Sequence, residues 1–502
     1  MNRRSLLFSA GAATLAACAS VPRARGFALA PEIDAAVDRA MTALAVAPGL
    51  SIAVYSRDGV YARGFGVTDV DTGERATADT AFYIASSTKP LTALALATLA
   101  HRGELDLDQT LAAYAADANF PEAVRPGEVK LRDLLTHTHG IENDAIVHRT
   151  AFSGQHDPQT LWRLLASCEA NEEHGLGAFE YTNVGYNIAT ILTDRRLGVR
   201  WQDLLARELF APAGMTRATA IMSQAQNAGW SVAKPHRSAL AGGPRRLYLE
   251  KTDQTMQSAG GVIISANDAA RWLELMIEDG RVGGRQIIPA EVVQSTRAPL
   301  AQVGAEFEGY QRDTYGLGWY AGPHRDERLY HHFGGFAGFR AHVSYIPARG
   351  IGVAAFVNDS SAAFPLPDAV ANYIYDRTAG RDDADARLDA AIEAMVRARD
   401  EGIQRVEADR ANRASREWTL TRPRAAYAGA YENDRFGRIE VSAEGETLNV
   451  RFGVLRSVAE PFTRPDSIRV ELVPYSGSVM LFAGDGDTPE ALLFQNERFT
   501  RM

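Results

Sequence analysis

Residues 84–96 read IASSTKPLTALAL, a run that sets Lys89 beside Ser86, Ser87 and Thr88 at the head of an otherwise apolar segment. Serine and threonine favour helix N-caps, and Pro90 suits a first turn whose amides lack partners. From there to Gly103 the chain is apolar nearly all round, which predicts a buried central helix. A lysine at its head either snorkels to solvent or gives up its water. Composition favours the second reading, because of 53 Lys plus Arg only four are lysines: Lys89, Lys130, Lys234 and Lys251. Arginine keeps its proton throughout the accessible pH range, whereas a desolvated lysine becomes a base. Ser86 and Lys89, at i and i+3, share one helix face. That spacing suits a nucleophile and its general base, since the positive potential of a helix N-terminus disfavours the ammonium and stabilises an adjacent oxyanion.

With 502 residues, 46% of them hydrophobic, the chain can bury a large core and form more than one domain. The net charge of −9, with no basic stripe, makes nucleic acid an unexpected partner. Residues 1–26 open MNRRSLLFSAGAATLAACAS and have the grammar of an export signal: a basic start, a short apolar run, small residues. Within them Leu15-Ala16-Ala17-Cys18 resembles a bacterial lipobox, and Arg3-Arg4 resembles a twin-arginine signal. The expectation is a periplasmic protein tethered to the membrane through lipidated Cys18. Cys168, in LWRLLASCEA, reads as a core residue, so no internal disulfide is expected.

Residues 27–378 predict an α+β domain. GLSIAVYSRDGVYARGFGV from Gly49 alternates and turns at Arg57-Asp58-Gly59, a hairpin signature. Helical patterns follow in LRDLLTH, QTLWRLLASCEA, VGYNIATILTDRRLG and NDAARWLELMIEDG. Strand patterns return in GFRAHVSYI and GIGVAAFVN, so N- and C-terminal strands can share one antiparallel sheet. Residues 379–420, dense in charge and alanine, read as a solvated helical linker. Residues 421–502 are all-β and suffice for a small antiparallel barrel.

Beyond Ser86 and Lys89, three stretches carry candidate chemistry. Ser231-Val-Ala-Lys234 repeats the SxxK spacing, yet it runs into HRSALAGGP, which cannot continue as a buried helix. Phe179-Glu-Tyr-Thr-Asn183 leads into a helix, where Tyr181 could relay protons and Asn183 could hold a substrate carbonyl; Tyr431-Glu-Asn433 shows that YxN alone is weak. His331-His-Phe-Gly-Gly-Phe336 precedes a strand, and its glycines allow backbone amides close to a ligand. A metal hydrolase built on His137 and His139 or on His331 and His332 lacks a carboxylate or third histidine at ligand spacing, so no metal or other cofactor is expected.

In chain order these pieces resemble the serine β-lactamase and penicillin-binding-protein superfamily, closest to its class C-like branch of peptidases, esterases and β-lactamases. LLTHTHG, LFAPAGMTRA, SAGGVIISANDAARWL and YGLGW match further stretches of that family. The resemblance spans residues 30–378 and implies a β-lactamase/transpeptidase-like fold, an antiparallel sheet flanked by helices with a helical subdomain; the C-terminal barrel resembles the lipocalin-like domain some members carry. It implies Ser86 as nucleophile, Lys89 as base, Tyr181 as relay and Asn183 as a substrate contact. His332 and Gly334 would form the third motif, and the amides of Ser86 and Gly335 the oxyanion hole. Two departures stand out: HxG replaces the usual KTG, removing a cation, and His139 stands where serine is usual. The implied reaction is cleavage of an amide or ester in a small molecule or short peptide. Alternatives are a β-lactamase or D,D-carboxypeptidase, and a catalytically idle binding or sensor lipoprotein. Metabolic labelling with palmitate in a bacterial host is expected to tag the protein, and Cys18→Ser to abolish the label.

Overall fold

The computed structural model describes residues 26–45 and 48–502; residues 1–25, which carry most of the stretch read as an export signal and Cys18, lie outside them. The first domain is built on one eight-stranded antiparallel sheet. Its strands are β1 (Gly49–Ser56), β2 (Gly59–Gly66), β3 (Ala301–Phe307), β4 (Tyr310–Tyr315), β5 (Tyr320–His324), β6 (Glu327–Phe336), β7 (Phe339–Ile346) and β8 (Ile351–Val357). They lie in the order β3-β4-β5-β6-β7-β8-β1-β2. The hairpin closes at Ser56↔Gly59, and β1 then pairs with β8 from Leu50↔Val357 to Ser56↔Ile351, joining the two ends of the domain.

Strand alternation divides the core in two. Ile52 and Val54, with Val353, Ala355 and Val357, face one side, where they meet the helices α1 (Ala30–Leu44) and α2 (Leu366–Thr378). Ala53, Ala354 and Phe356 face the other, against the helix Ala266–Ile277. On that second side lies the helix Lys89–His101, buried at every position from Lys89 to Leu99, as a sequence apolar nearly all round predicts. Cys168 is buried and free, with Asn143 Nδ2 3.6 Å from its sulfur.

The charged segment after residue 378 differs from a solvated linker. It forms a 31-residue helix, Ala384–Ala414, whose Ala384, Leu388, Ile392 and Met395 make one buried stripe against α1 and α2. Four apolar positions suffice because they recur at spacings of four, four and three, on a single face. At its far end Arg413 reaches Glu460 at 2.8 Å and Glu471 at 3.0 Å, so the helix bridges the sheet domain and the barrel.

The C-terminal unit is a nine-stranded, nearly closed antiparallel barrel running from Gly429–Asn433 to Glu497–Arg501, the two strands paired with each other. Ile439, Val450, Phe452, Val470, Met480 and Leu492 fill its interior. It docks beside the helical subdomain: the Val454 amide donates to the Ser153 carbonyl at 3.0 Å, Gln155 Nε2 to the Arg438 carbonyl at 2.8 Å, and the Phe452 ring lies 4.4 Å from His148. Leu388→Ala is expected to destabilise the protein by about 2–4 kcal/mol, as a buried large-to-small change does. Glu393→Ala, one turn on and exposed, should stay within about 0.5 kcal/mol. Denaturant midpoints compare the two.

Candidate active site

The short strand Phe82–Tyr83 delivers the chain into a 3₁₀ turn, Ala85–Thr88, from which the Lys89–His101 helix continues. Ala85 enters with φ +45°, a left-handed conformation costly for a residue with a Cβ. Of the three hydroxyls in the turn, two are tied to backbone. Ser87 Oγ donates to the His332 carbonyl at 2.9 Å, and Thr88 Oγ1 accepts from the Val262 amide at 3.0 Å. Ser86 alone is half-buried rather than buried. Two glycines allow the surrounding strands to approach this turn. A Cβ on Gly334 would collide with the Ile84 carbonyl, and one on Gly318, in YGLGW, would lie 2.5 Å from Pro90 Cα.

Lys89 has no exposed surface. Its Nζ lies 3.2 Å from Ser86 Oγ, 2.7 Å from Tyr181 Oη, 2.7 Å from Asn183 Oδ1 and 3.0 Å from the Ala259 carbonyl. Burial holds the amine well below the usual lysine range, and among the described residues no carboxylate stands beside it to restore the charge. A neutral amine has two N–H groups and one lone pair. Asn183 Oδ1 and the Ala259 carbonyl can only accept, so they take the two N–H groups and leave the lone pair facing the Ser86 and Tyr181 hydroxyls. Tyr181 exposes 38% of its surface while its hydroxyl packs against Lys89, and desolvation raises the phenol above its usual range. The phenol stays protonated, which makes Lys89 the better proton acceptor of the two.

Tyr181 and Asn183 are held by the segment His137-Thr138-His139. The Glu180 amide donates to the His137 carbonyl at 2.9 Å, and the Thr182 amide lies 3.3 Å from His137 Nδ1. His139 Nδ1 accepts from the Ile141 amide at 2.9 Å; its Nε2 therefore carries the proton and donates to Thr182 Oγ1 at 3.2 Å. Burial lowers His139 to about 4, keeping it neutral in this role. The histidine that departs from the family pattern thus pins the residue between Tyr181 and Asn183, a link invisible in sequence because 43 residues separate the partners. Behind Ala259, Ser258 Oγ donates to the Tyr186 carbonyl at 3.0 Å, and Thr92 Oγ1 to the Ser258 carbonyl at 2.8 Å.

His332 is 1% exposed, on β6 beside the turn. Its Nδ1 lies 2.9 Å from the Phe333 carbonyl and its buried Nε2 has no partner among the described residues. Burial depresses it well below its usual value, so the third motif presents a neutral acceptor. Gly335 is exposed and pairs with Arg340 on β7.

The second SxxK is taken apart by its surroundings. Lys234 Nζ pairs with Glu250 at 2.8 Å, and Ser231 Oγ is bound to Glu74. Another serine mimics a triad: Ser344 Oγ is 2.6 Å from His342 Nε2, whose Nδ1 is 2.6 Å from Asp368 Oδ1. Ser344 has no exposed surface and also contacts Tyr375 Oη at 2.8 Å, so a substrate has no approach to it.

Residues 35–374 match the model of the Beta-lactamase family. The chain belongs to the Beta-lactamase family. It is thereby a serine hydrolase. Penicillin-binding protein 4 of Amycolatopsis lactamdurans is 26% identical over 322 residues, 63% of this chain and 82% of its own. Unguisins hydrolase ungD' of Aspergillus campestris is 23% identical over 354 residues, 66% of this chain; the alignment covers only 62% of that relative. Among solved structures, the octameric penicillin-binding protein homologue from Pyrococcus abyssi covers 94% of this chain and 99% of its own, at TM-score 0.59 and 21% identity. The D-amino acid amidase from Ochrobactrum anthropi SV3 covers 72% of this chain and 99% of its own, at TM-score 0.55 and 19% identity. These structural likenesses carry the fold of the Beta-lactamase family member, barrel included in the first case. Gly334→Ala is expected to lower kcat about a hundredfold by displacing β6 from the nucleophile turn, with the melting temperature recorded alongside. Ser231→Ala should leave kcat/KM unaltered.

Proposed function

We propose that the protein is an exported hydrolase that cleaves an amide or ester through an acyl-serine intermediate at Ser86. The observation that carries this reading is the desolvated Lys89 amine, held by two obligate acceptors so that its lone pair faces a half-buried serine. Lys89 Nζ takes the Ser86 proton as Oγ attacks the substrate carbonyl carbon. The amides of Ser86 and Gly335 receive the oxyanion, with Gly334 supplying the close approach: its Cβ direction points to within 3.0 Å of the Ser86 amide nitrogen. Tyr181, protonated and in contact with Lys89, passes a proton to the leaving nitrogen or oxygen. Water then attacks the acyl-serine by the reverse relay. Asn183 is shared between holding Lys89 and contacting substrate.

A catalytically idle binding lipoprotein has no use for a desolvated base beside its serine. Esterase or peptidase action ranks above β-lactamase or D,D-carboxypeptidase action because buried, neutral His332 stands where a cation would grip a β-lactam carboxylate. Related names support the hydrolytic class: a D-amino acid amidase, and EstCE1, described as a hydrolase with promiscuous acyltransferase activity. Residues 1–26 would carry the enzyme to the envelope, with Cys18 as anchor.

A fluorophosphonate is expected to label Ser86 alone, and adduct mapping to Ser231 would sink the assignment. Lys89→Arg, which puts a guanidinium that keeps its proton in place of the neutral amine, should cost about a hundredfold or more in kcat/KM, roughly 3 kcal/mol; a folded variant retaining more than about a third of the activity would defeat the mechanism. Since the base must be neutral, wild-type kcat/KM should fall as pH drops through the depressed Lys89 value and hold level above it.

A further inference from the structure

Where the first domain, the long helix and the barrel meet, the fold gathers arginines that no acid of the described residues balances. Two short strands, His236–Arg237 and Arg245–Arg246, pair antiparallel, with His236 opposite Arg246 and Arg237 opposite Arg245. Strand alternation sends these two pairs to opposite faces. On one face Asp69 stands 2.9 Å from Arg246 and 3.7 Å from His236, and Glu250 is bound to Arg246 as well. On the other, Arg237 and Arg245 meet as like charges directly across the ladder, an arrangement that costs stability. Neither has a carboxylate partner among the described residues, and Arg237 Nε is buried without a hydrogen bond.

Arg245 lines a groove of about 600 Å³ that the end of the helix Ala384–Ala414 borders through Arg410 and the barrel borders through Tyr475; Arg416, just past the helix, lines it too. The acids on its wall are engaged: Glu460 and Glu471 are each shared between Arg413 and Arg469, at 2.7–3.0 Å. Arg410 has Glu407 at 3.4 Å, and Arg416 has no acid among the described residues, its guanidinium carbon lying 5.6 Å from the Phe462 ring centroid. Tyr475 is the second sign. It follows Pro474 in the two-residue turn between the barrel strands Ser467–Val473 and Ser476–Ala483, and its φ of +61° puts a bulky side chain where a type II turn takes glycine. The strained ring lies 4.5 Å from the Arg237 guanidinium carbon and 6.0 Å from that of Arg410, so it brings two cations to one side of the groove.

We propose that this groove binds a small molecule bearing two or more phosphate groups, with Arg245, Arg410 and Arg416 as its direct contacts and Arg237 adding charge beside Tyr475. Guanidinium forks converging from three parts of the chain match the several oxygens of such an anion, and they do so in a protein whose net charge is −9. The groove is concave, walled by hairpin, helix and barrel, so it admits a small molecule and not the plane of a bilayer. None of Ser86, Lys89, Tyr181 and His332 lines it, so the site is separate from the candidate active site, and its occupant ties the barrel to the first domain.

Inorganic triphosphate is the probe. Titrated calorimetrically into the wild-type protein, it should bind at least about tenfold more tightly than orthophosphate, with an affinity that falls as salt is added. Replacing Arg245→Gln and Arg416→Gln together should weaken it at least about tenfold. Arg397→Gln, at an exposed position elsewhere on the same helix, should leave it unchanged. Absence of binding, equal affinity for the two phosphates, or an equal loss in Arg397→Gln overturns the proposal; the first two outcomes need no variant to fold. Phenylglyoxal modification of the wild-type protein, mapped by mass, is a second measurement without a variant. Triphosphate should shield Arg245 and Arg416 and leave Arg397 reactive, and shielding of neither groove arginine, or of all three alike, overturns the site. Co-sedimentation with phosphatidylglycerol vesicles that triphosphate fails to compete away would assign these arginines to a membrane surface and overturn it as well.

Discussion

An ammonium group taken out of water, without a carboxylate to meet it, is costly enough that a lysine in that position gives up its proton. Lys89 is such a lysine, and much of the domain is arranged to keep it dry. The mostly apolar, buried helix it heads runs beneath one face of the sheet. Gly334 and Gly318 let β6 and the β4–β5 connection close over the turn. Asn183 and the Ala259 carbonyl orient the amine by occupying the two hydrogens it retains. The left-handed Ala85 is the strain this arrangement carries, and it turns Ser86 outward while its two neighbours turn in.

The parts that follow from local pattern were legible in the sequence. The Gly49–Gly66 hairpin, the strands either side of Pro347-Ala348-Arg349 and the buried helix at Lys89 each carry their period within one element. Spacing alone did not separate the two SxxK copies; context did, since only the first heads a buried helix, and Glu250 and Glu74 occupy the second. What could not be read depends on who meets whom across the chain. His139 works through Thr182, and Ser344 falls into line with His342 and Asp368 only when sheet and helix pack. The helix Ala384–Ala414 misleads for another reason: its charge density describes the exposed face, while a narrow stripe of four residues decides where it sits.

The lysines separate into two chemical kinds. Lys130 and Lys234 face acids, as any of the arginines could. Lys89 and Lys251 are buried and depressed, with Lys251 Nζ donating to the Ala151 carbonyl at 2.7 Å and lying 3.5 Å from the Phe336 ring centroid, at the end of the strand that bears Gly334. An arginine could not take either place, because its proton cannot be shed to escape the desolvation cost.

The pairing of β1 with β8 has a consequence for how the protein is made. Leu50 meets Val357 only after the helical subdomain and the six intervening strands of the sheet, β2 to β7, have been synthesised, so the pairing that joins the two ends of the domain is a contact of very large sequence separation. Loop-closure entropy must be met before that pairing returns any energy, which places the domain among slow folders and leaves the β1–β2 hairpin with a bare edge in the meantime. On the ribosome, that edge waits for β8 to emerge, exposed to pairing with other chains for as long as the wait lasts.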